Sequence, residues 1–411
     1  MPTADIMTLD DFDLASKRVL VRVDINVPIQ DGQVADDTRI RRVAPTVAEI
    51  AGKGGTPILM SHLGRPAGRR DPDLSLELLV DALETLIELP VKFVKEVSRT
   101  DLLHDSKSHA PGTVFLLENL RYHSGEQGNS PEFANLLAQW GDIYCNDAFS
   151  ASHRAHASIV GVPSRLPSCA GRAMMRELNV LESAFASPKR PVAAIVGGAK
   201  ISTKIGLLRS LANRFEHLVI GGAMANTFLL AKGFPIGRSL AEPGKIVVAR
   251  DILAHARTSG CQLLLPLDVV VTRLDGEGGD AHTVAVSDCP SDASICDVGE
   301  RTVARVAQTL ELCRTVVWNG PVGRFEIAPF DRASTQIARR IAELTEQSSI
   351  FSVAGGGDTL SAIARAGLAN RLSYSSTAGG AFIALLEGGE LPGIAALERR
   401  EGLPKGHDKN Q

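Results

Sequence analysis

The sequence predicts an α/β protein made of two doubly wound, parallel-sheet (Rossmann-like) domains that are joined by an interdomain helix and hinge. Three observations lead to this prediction. Short β-branched runs alternate with helical patterns along the chain, which is typical of parallel sheets covered by helices. The chain has 411 residues, more than one hydrophobic core usually holds. No repeat of about 20 to 50 residues appears, which excludes a solenoid.

Ten apolar runs are predicted to be or to contain strands, and the helical patterns lie between them. The strand runs are RVLVRVDI (18–25), TPILMSHL (56–63), VKFV (91–94), VFLL (114–117), DIYCNDAF (142–149), AAIVGG (193–198), HLVIGG (217–222), LLLPLDVVV (263–271), TVVWNG (315–320) and SIFSVAGG (349–356). The helical patterns include RRVAPTVAEIAGK (41–53), LELLVDALETLI (76–87) and SPEFANLLAQWG (130–141). In open α/β sheets the carboxyl ends of the strands are where ligands bind.

The domain boundary is predicted near Pro163 and Pro167, which break the preceding pattern. A helix follows over Arg172–Ala186, with Met174, Leu178, Leu181 and Phe185 close to one face. The predicted divisions are a first domain over 1–171, a joining helix over 172–187 and a second domain over 188–389.

Composition narrows the class of protein. A net charge of −3 argues against a dedicated nucleic-acid binder. The six cysteines show no CxxC spacing, which predicts buried, reduced thiols and a cytoplasmic protein. The first residues, MPTADIMTLDDFD, lack the features of a signal peptide. No apolar run reaches the ~18 residues of a membrane span, so no membrane partner is expected.

Glycine-rich loops follow four strands of the second half. They are VGGAKISTK (196–204), VIGGAMANTF (219–228), VVWNGPVGRFE (316–326) and SVAGGGDTL (352–360). Backbone amides at a strand-to-helix junction favour a phosphate. Asp358 beside that phosphate suits Mg²⁺, which prefers carboxylate and phosphate oxygens. None of the loops is a G-x-x-x-x-G-K-[ST] loop. DGEGGDA (275–281) resembles a dinucleotide fingerprint, but its acidic residues and the strand-like HTVAVSD after it indicate a hairpin turn.

The first half carries basic residues at its strand ends and in its loops instead. The polar residues there are Arg22, Asp24, Asn26, Arg39, His62, Arg65, Arg121, His153, Arg154 and His156. Any one arginine could be a solvated surface charge. Together they indicate a small polyanionic substrate, because the guanidinium fork matches phosphate and carboxylate. His153 and His156 lack a third ligand at a suitable spacing, so zinc is not expected.

A nucleotide half and an anion half together predict phosphoryl transfer. No isolated Asp or Glu is placed as a catalytic base, which suits an acceptor that is already a carboxylate. Catalysis then consists of alignment and of positive charge on the moving group.

Nine motifs in order resemble those of the phosphoglycerate kinase family, from about residue 6 to about residue 397. They are RVDINVP, SHLGRP, LLENLRYH, NDAFSASHRAHAS, GGAKISTK, GGAMANTF, VWNGPVGRFE, GGGDT and STAGGA with LPGI. The resemblance implies a phosphotransferase with a carboxyl acceptor, which reversibly transfers a phosphoryl group from 1,3-bisphosphoglycerate to ADP with Mg²⁺. It also implies a glycolytic monomer that closes about a hinge, with 390–411 returning to the first domain. Expected hinges are the helix Arg172–Ala186 and the segment 376–391.

The resemblance also implies a role for each matching residue. It implies that 3-phosphoglycerate binds Asp24, Asn26, Arg39, His62, Arg65, Arg121 and Arg154. It implies that the nucleotide binds Gly198, Lys200, Lys204, Gly222, Asn319, Pro321, Glu326, Gly356, Gly357, Asp358 and Thr359. Arg39, Lys200 and Gly380 are the implied catalytic residues, and Asp358 is the implied metal ligand.

Several positions depart from the family pattern. Ala378 replaces a loop glycine, which would strain the loop if that position needs a positive φ. Ala384, 297–300 and FDRAS (330–334) also differ, which leaves hinge mechanics and rate open. Two alternatives are a catalytically weakened nucleotide-binding relative and a nicotinamide dehydrogenase. The weakened relative would lose Arg39 or Lys200, yet both are present. The dehydrogenase needs a dinucleotide fingerprint, and 275–281 does not provide one.

Overall fold

The computed structural model describes residues 6–98, 112–273 and 280–398. The described chain forms two compact units. Unit 1 comprises residues 6–179 and 390–398, and unit 2 comprises residues 180–389. Each unit contains one six-stranded parallel sheet, so the predicted fold class is confirmed.

The sheet of unit 1 has the strand order β5-β6-β4-β1-β7-β8. Its strands are β1 (Arg18–Val23), β4 (Thr56–Met60), β5 (Val91–Val94), β6 (Val114–Leu117), β7 (Ile143–Asp147) and β8 (Ser168–Ala170). A separate two-stranded hairpin consists of β2 (Ile29–Gln30) and β3 (Gln33–Val34). β6 and β7 are buried at every position. Helices or loops cover both faces of a parallel sheet, which explains why β6 is apolar at every position.

Among the described residues, six helices begin in unit 1. They are α1 (Thr38–Gly52), α2 (Val80–Ile87), α3 (Ser124–Gln127), α4 (Pro131–Ala138), α5 (Arg172–Leu181) and, later in the chain, α13 (Pro392–Ala395). Ser130 caps α4 by accepting a hydrogen bond from the Phe133 amide, and Pro131 occupies the first turn.

The helix α5 continues as one wider turn over Glu182–Ala186, so the helical range matches the predicted Arg172–Ala186. Asp147 lies at its beginning, where the carboxylate accepts a hydrogen bond from the Met174 amide at 2.9 Å. The division between the two units lies between residues 179 and 180, within this helix. Met174, Leu178, Leu181 and Phe185 are all buried, as expected of one apolar face.

The sheet of unit 2 has the order β11-β10-β9-β15-β16-β17. Its strands are β9 (Val192–Val196), β10 (His217–Ile220), β11 (Gln262–Leu264), β15 (Thr315–Asn319), β16 (Phe351–Gly355) and β17 (Tyr374–Ser376). Its helices are α6 (Ile205–Arg214), α7 (Ala223–Ala231), α8 (Ile246–Thr258), α9 (Glu300–Leu312), α10 (Arg332–Glu346), α11 (Gly357–Arg365) and α12 (Gly379–Leu386). Trp318, the alternate residues of β9 and the inner face of α10 belong to one apolar cluster of this unit.

Unit 2 also carries a small antiparallel sheet that alternation alone does not predict. It consists of β12 (Asp268–Thr272), β13 (His282–Ala285) and β14 (Ser294–Val298), in the order β13-β12-β14. β12 and β13 are antiparallel neighbours, as the hairpin interpretation of the segment between them requires. Residues 275–279, which make up most of the predicted turn, lie outside the described residues.

After unit 2 the chain returns to unit 1 over 390–398. The Gly393 amide donates to the Ser152 carbonyl at 2.9 Å, and Ile6 forms an antiparallel bridge with Glu398. Leu391, Ile394 and Leu397 are buried there. All six cysteines are free and buried. Within the described part of the chain, no helix combines the length and apolar character that crossing a membrane requires.

Candidate active site

Residues predicted to bind the acceptor lie at one edge of the unit 1 sheet. After β1 the chain adds β4 on one side and later β7 on the other, so the strand order reverses around β1. We call the seven predicted acceptor-side residues the basic site. Asp24 and Asn26 follow β1, His62 and Arg65 follow β4, Arg121 follows β6, Arg154 follows β7, and Arg39 lies in the first turn of α1.

Asp24 and Arg39 form an ion pair in the basic site. The Nη1 atom of Arg39 lies 2.5 Å from Oδ2 of Asp24, and the Ser150 hydroxyl donates to the same oxygen. Burial acts to raise the pKa of Asp24, but the charge of Arg39, together with hydrogen bonds from the Ser150 hydroxyl and the Asn26 amide, outweighs it, and the net pKa is lowered. Asp24 is therefore ionised, and its charge holds the guanidinium of Arg39 at this edge of the sheet.

The loop of His62 and Arg65 is fixed through the backbone of Gly64. Its amide donates to Oδ1 of Asn26 at 2.9 Å, and its carbonyl accepts from Nη1 of Arg121 at 2.7 Å. Gly64 has a φ of +61°, which glycine adopts without steric cost. Asn26 and Arg121 thus shape the loop as well as lining the site.

Positive charge in the basic site is only partly neutralised. Burial, followed by the nearby Arg154 and Arg22, lowers the pKa of Arg121 to about 10. Arg154 is half-buried and donates from Nε to Nε2 of His153 at 3.1 Å, while Arg65 is exposed. An added anion would stabilise the charged form of an arginine whose pKa is lowered in this way.

Several supporting residues of the basic site are absent from the predicted set. Asn119 donates from Nδ2 to the carbonyls of Leu63 and Leu74, both at 2.8 Å. Ser150 bonds to Asp24 as described above. Both residues follow a strand and lie within motifs quoted above, LLENLRYH and NDAFSASHRAHAS, but neither was given a role. Arg22 was predicted as part of the basic cluster but received no individual role, although a charged residue inside the apolar run RVLVRV needs a buried partner.

The four glycine loops of unit 2 come together after adjacent strands. We call them the glycine site: residues 197–204 after β9, 221–222 after β10, 319–326 after β15 and 355–359 after β16. β9 and β15 are neighbours at the centre of the sheet. β10 and β11 extend the sheet beyond β9, and β16 and β17 extend it on the other side beyond β15, so the strand order reverses between β9 and β15. This crevice is where ligands of such sheets bind.

In the glycine site, the backbones of different loops approach each other closely. A Cβ atom on Gly197 would lie 1.8 Å from the Pro321 carbonyl oxygen. Gly222 has a φ of +66°, and a Cβ atom there would lie 2.7 Å from the Gly198 amide nitrogen. The Met224 amide donates to the Gly198 carbonyl at 2.9 Å, and the Gly222 amide donates to the Val322 carbonyl at 2.8 Å. The predicted residues Gly198, Gly222 and Pro321 therefore belong to one interlocked surface.

Lys204 and Asn319 connect three of these loops. The ammonium of Lys204 donates to the Gly197 carbonyl and to Oδ1 of Asn319, both at 2.7 Å. Asn319 in turn donates to the Gly355 carbonyl at 2.8 Å. Burial lowers the pKa of Lys204 to about 8, and the charge of Asp358 opposes this shift. Lys204 is thus anchored at the base of the glycine site.

The remaining predicted residues lie around this base. Thr359 is buried, accepts from the Gly320 amide at 2.7 Å and donates to the Gly355 carbonyl at 2.9 Å. Gly356, with a φ of +98°, precedes α11, and Gly357 and Asp358 are exposed in its first turn. Lys200, Glu326 and Gly380 are also exposed. Apart from Thr359, these residues are accessible to a ligand from solvent.

The substitution Ala378 causes no backbone strain. Its φ is −90° and its amide donates to Oγ of Ser376 at 3.3 Å. A negative φ does not require glycine, so the conditional concern raised by the sequence does not apply.

Gly197→Ala should destabilise unit 2 by about 3 kcal/mol, at the upper end of overpacking costs. The new methyl group would meet a backbone carbonyl that no side-chain rotation can move away. The urea midpoint of the variant measures this. Gly244→Ala is the control, because a Cβ atom there has nothing within 4 Å. Equal midpoints for both variants would contradict the interlocked geometry.

Comparisons with known proteins agree with this arrangement. The family model described as phosphoglycerate kinase matches residues 9–389. A relative named phosphoglycerate kinase from Ruegeria sp. (strain TM1040) is 51% identical over 391 residues, 95% of this chain and 99% of that protein.

Two solved structures are also similar. The structure of phosphoglycerate kinase from Coxiella burnetii matches with a TM-score of 0.87 at 37% identity, covering 95% of this chain and 98% of that one. The crystal structure of the enzyme from Pyrococcus horikoshii OT3 matches with a TM-score of 0.77 at 28% identity, with the same coverage. One of its two sheets ends in a cluster of basic residues and the other in glycine loops, and the family model and the relatives cover nearly the entire chain; the chain therefore belongs to the phosphoglycerate kinase family.

Proposed function

We propose that the protein reversibly transfers a phosphoryl group between 1,3-bisphosphoglycerate and ADP, giving 3-phosphoglycerate and ATP. The observation that carries the proposal is the pairing of two different sites on two units. Unit 1 offers clustered cations at a strand-order reversal, and unit 2 offers interlocked glycine loops with an anchored lysine. A small phosphorylated acid suits the first site, and a nucleotide phosphate suits the second.

On the acceptor side, we assign the binding of 3-phosphoglycerate to the whole basic site. Arg65, Arg121 and Arg154 supply charge, while Asn26 and Asp24 orient the loop and Arg39. Arg39 is the residue that would reach the transferred group. Its half-buried position next to an ionised Asp24 keeps the guanidinium extended towards the sheet edge.

On the nucleotide side, we assign Lys200 to the phosphoryl group in flight and Lys204 to the α-phosphate. Gly198, Gly222, Asn319 and Pro321 form the floor beneath the nucleotide. The exposed Glu326 would accept hydrogen bonds from the ribose hydroxyls. Gly356, Gly357, Thr359 and Gly380 would direct backbone or hydroxyl groups at phosphate oxygens, since Gly356 and Gly380 each lie at the beginning of a helix.

The residues present also fit Mg²⁺ bound together with the nucleotide. The described residues contain no group of three or more His, Cys, Asp or Glu side chains that could hold a metal alone. Mg²⁺ typically takes one or two carboxylates and completes its shell with phosphate oxygens and water. The exposed Asp358, close enough to Lys204 to influence its pKa, would supply that carboxylate. Bound there, the ion would neutralise phosphate charge.

A coupled assay tests the proposed reaction. The protein is incubated with 3-phosphoglycerate and MgATP, and a dehydrogenase that consumes 1,3-bisphosphoglycerate reports the product through NADH. We expect turnover that depends on all three of 3-phosphoglycerate, ATP and Mg²⁺. ATP binding without turnover would instead identify a nucleotide-binding relative that has lost catalysis.

The affinity for MgADP should fall as the pH rises above about 8. Lys204 has a pKa of about 8 in the free protein, and a phosphate favours its charged form. Above this pH, binding must therefore take up a proton. Calorimetry at pH 8.5 in buffers of different ionisation enthalpy measures the uptake. Lys204→Arg should abolish it, because arginine stays protonated. Identical uptake in that variant would assign the proton to another group.

Transfer also requires the two units to close on the bound substrates. Neither site alone surrounds the moving group, and an acyl phosphate exposed to water would hydrolyse. We infer that α5 with its following turn and the segment 376–391 act as hinges, and that the enzyme works as a cytoplasmic monomer. Small-angle scattering should show a smaller radius of gyration only with both substrates bound. An unchanged radius in the ternary complex would rule out closure.

A further inference from the structure

A chain of buried, hydrogen-bonded polar groups leads to the basic site, and of its members only His62 has a substrate role in the proposed function. The chain runs from Glu126 in α3 through Ser158 to Arg22 in β1, and ends at the ring of His62. Glu126, Ser158 and Arg22 are each at most 1% exposed, and His62 is 8% exposed. Buried groups of this kind are costly unless each one is paired.

The hydrogen bonds along the chain have only one possible direction. Nε of Arg22 lies 2.9 Å from Oγ of Ser158, and that Oγ lies 2.6 Å from Oε1 of Glu126. A guanidinium can only donate, and a carboxylate can only accept. The Ser158 hydroxyl therefore accepts from Arg22 and donates to Glu126. The Ser158 amide also donates to Oε2 of Glu126 at 3.0 Å, which fixes the carboxylate.

The same reasoning fixes the proton on His62. Nη2 of Arg22 lies 3.0 Å from Nδ1 of His62. Because the arginine nitrogen has no lone pair to offer, Nδ1 must be the acceptor and cannot carry a proton. The ring is then neutral, and its single N–H is at Nε2.

We propose that Glu126 is a positioning residue that acts through Ser158 and Arg22 to hold His62 as the neutral Nε2–H tautomer. This inference rests on the proposed function, since it assigns His62 a defined task in binding the acid. The ring contributes one hydrogen-bond donor to a phosphate or carboxylate oxygen, and it contributes no charge. The positive charge of the basic site then comes from its arginines.

The charged groups around His62 act in the same sense. Burial, and then the charge of Arg22, lowers the pKa of His62 well below its usual value. Arg121 and Arg154 lower it further, and only Asp24 opposes them. Glu126 faces His156, whose Nδ1 lies 3.6 Å from Oε1. Glu126 is thus the carboxylate that balances the buried Arg22, linked to it by Ser158.

Nitrogen NMR of the free, histidine-labelled full-length protein tests the proposal. Comparison with His62→Gln assigns the signals of this ring. We expect an unprotonated Nδ1 and a protonated Nε2 at pH 7, with no conversion to imidazolium down to pH 5. Glu126→Gln removes the charge and keeps the shape, and Ser158→Ala interrupts the chain while keeping Glu126. Both should change the tautomer signals of His62 and raise KM for 3-phosphoglycerate about tenfold, with KM for MgATP unchanged.

Glu132→Gln is the matched control, because Glu132 is exposed on the adjacent helix. It should leave the His62 spectrum and both KM values as they are. A protonated Nδ1 on His62 at pH 7, or wild-type tautomer signals in both chain variants, would overturn the proposal. The spectra need no turnover. A silent coupled assay with the expected spectra would therefore refute the proposed function while supporting the hydrogen-bond chain.

Discussion

Lys200→Ala is expected to lower kcat by about 10²–10³-fold, the usual cost of losing a group that stabilises transition-state charge. Lys200 is exposed in extended backbone between β9 and α6. Its backbone carbonyl accepts from the Thr203 hydroxyl at 2.9 Å, and among the described residues its ammonium forms no ion pair. A side chain held so loosely contributes little to the ground state. KM for ATP and the affinity for MgADP should therefore change far less than kcat. Steady-state kinetics with calorimetry separates the two effects.

The matched control for this variant is Lys189→Ala, which removes an exposed lysine of the same unit ahead of β9. It should leave both constants near their wild-type values. A Lys200→Ala enzyme with nearly normal kcat and only a raised KM for ATP would show that the residue binds nucleotide uniformly. The role in phosphoryl transfer would then be wrong.

The second large effect is expected for Arg39→Ala, with a loss in kcat of similar size, about 10²–10³-fold. Here the guanidinium is held by the ionised Asp24, so it is already oriented before substrate binds. A charged group that is already oriented before the reaction stabilises the transition state more effectively, because no entropy is lost in positioning it during the reaction. Arg39→Lys should recover only part of the loss, because an ammonium cannot form the same planar contact.

Arg41→Ala provides the control on the same helix. Arg41 pairs with Asp37 one turn away, and both side chains are well exposed, so the pair is worth little. Its removal should leave kcat unchanged. If Arg39→Ala and Arg41→Ala had equal kcat, Arg39 would not touch the transferred group.

The sequence predicted the two parallel sheets because their strands are apolar on both faces. Runs such as VFLL and TVVWNG have no alternation, and the structure buries all of β6 and β15. The antiparallel sheet gave a weaker signal. β14 reads SICDV, in which two half-buried positions are followed by three buried ones, so its pattern shows no alternation. Short edge strands such as β8 and β17 have three residues each, too few for a periodic pattern.

The site residues were predictable where a motif holds them, and their supports were not. Arg22 is visible in the sequence because a charge interrupts an apolar strand. Glu126 and Ser158 look like ordinary polar residues in RYHSGEQGNS and HRAHASIV, and only tertiary contacts show that they are buried together. Lys204 was predicted to bind phosphate, yet its depressed pKa is caused by burial, and the loop that helps to enclose it, with Asn319, lies 115 positions away in the chain.

The return of residues 390–398 to unit 1 has a consequence for synthesis of the chain. Unit 2 is complete once residue 389 has been made, and its contacts all lie between residues already translated. Unit 1 is not complete at that stage. The Ser152 carbonyl still lacks the Gly393 amide, and the buried places of Leu391, Ile394 and Leu397 are unfilled. The turn that contains Ser152 leads directly into Arg154. Unit 1 can therefore complete its fold only after the whole of unit 2 has been synthesised, although unit 1 begins first.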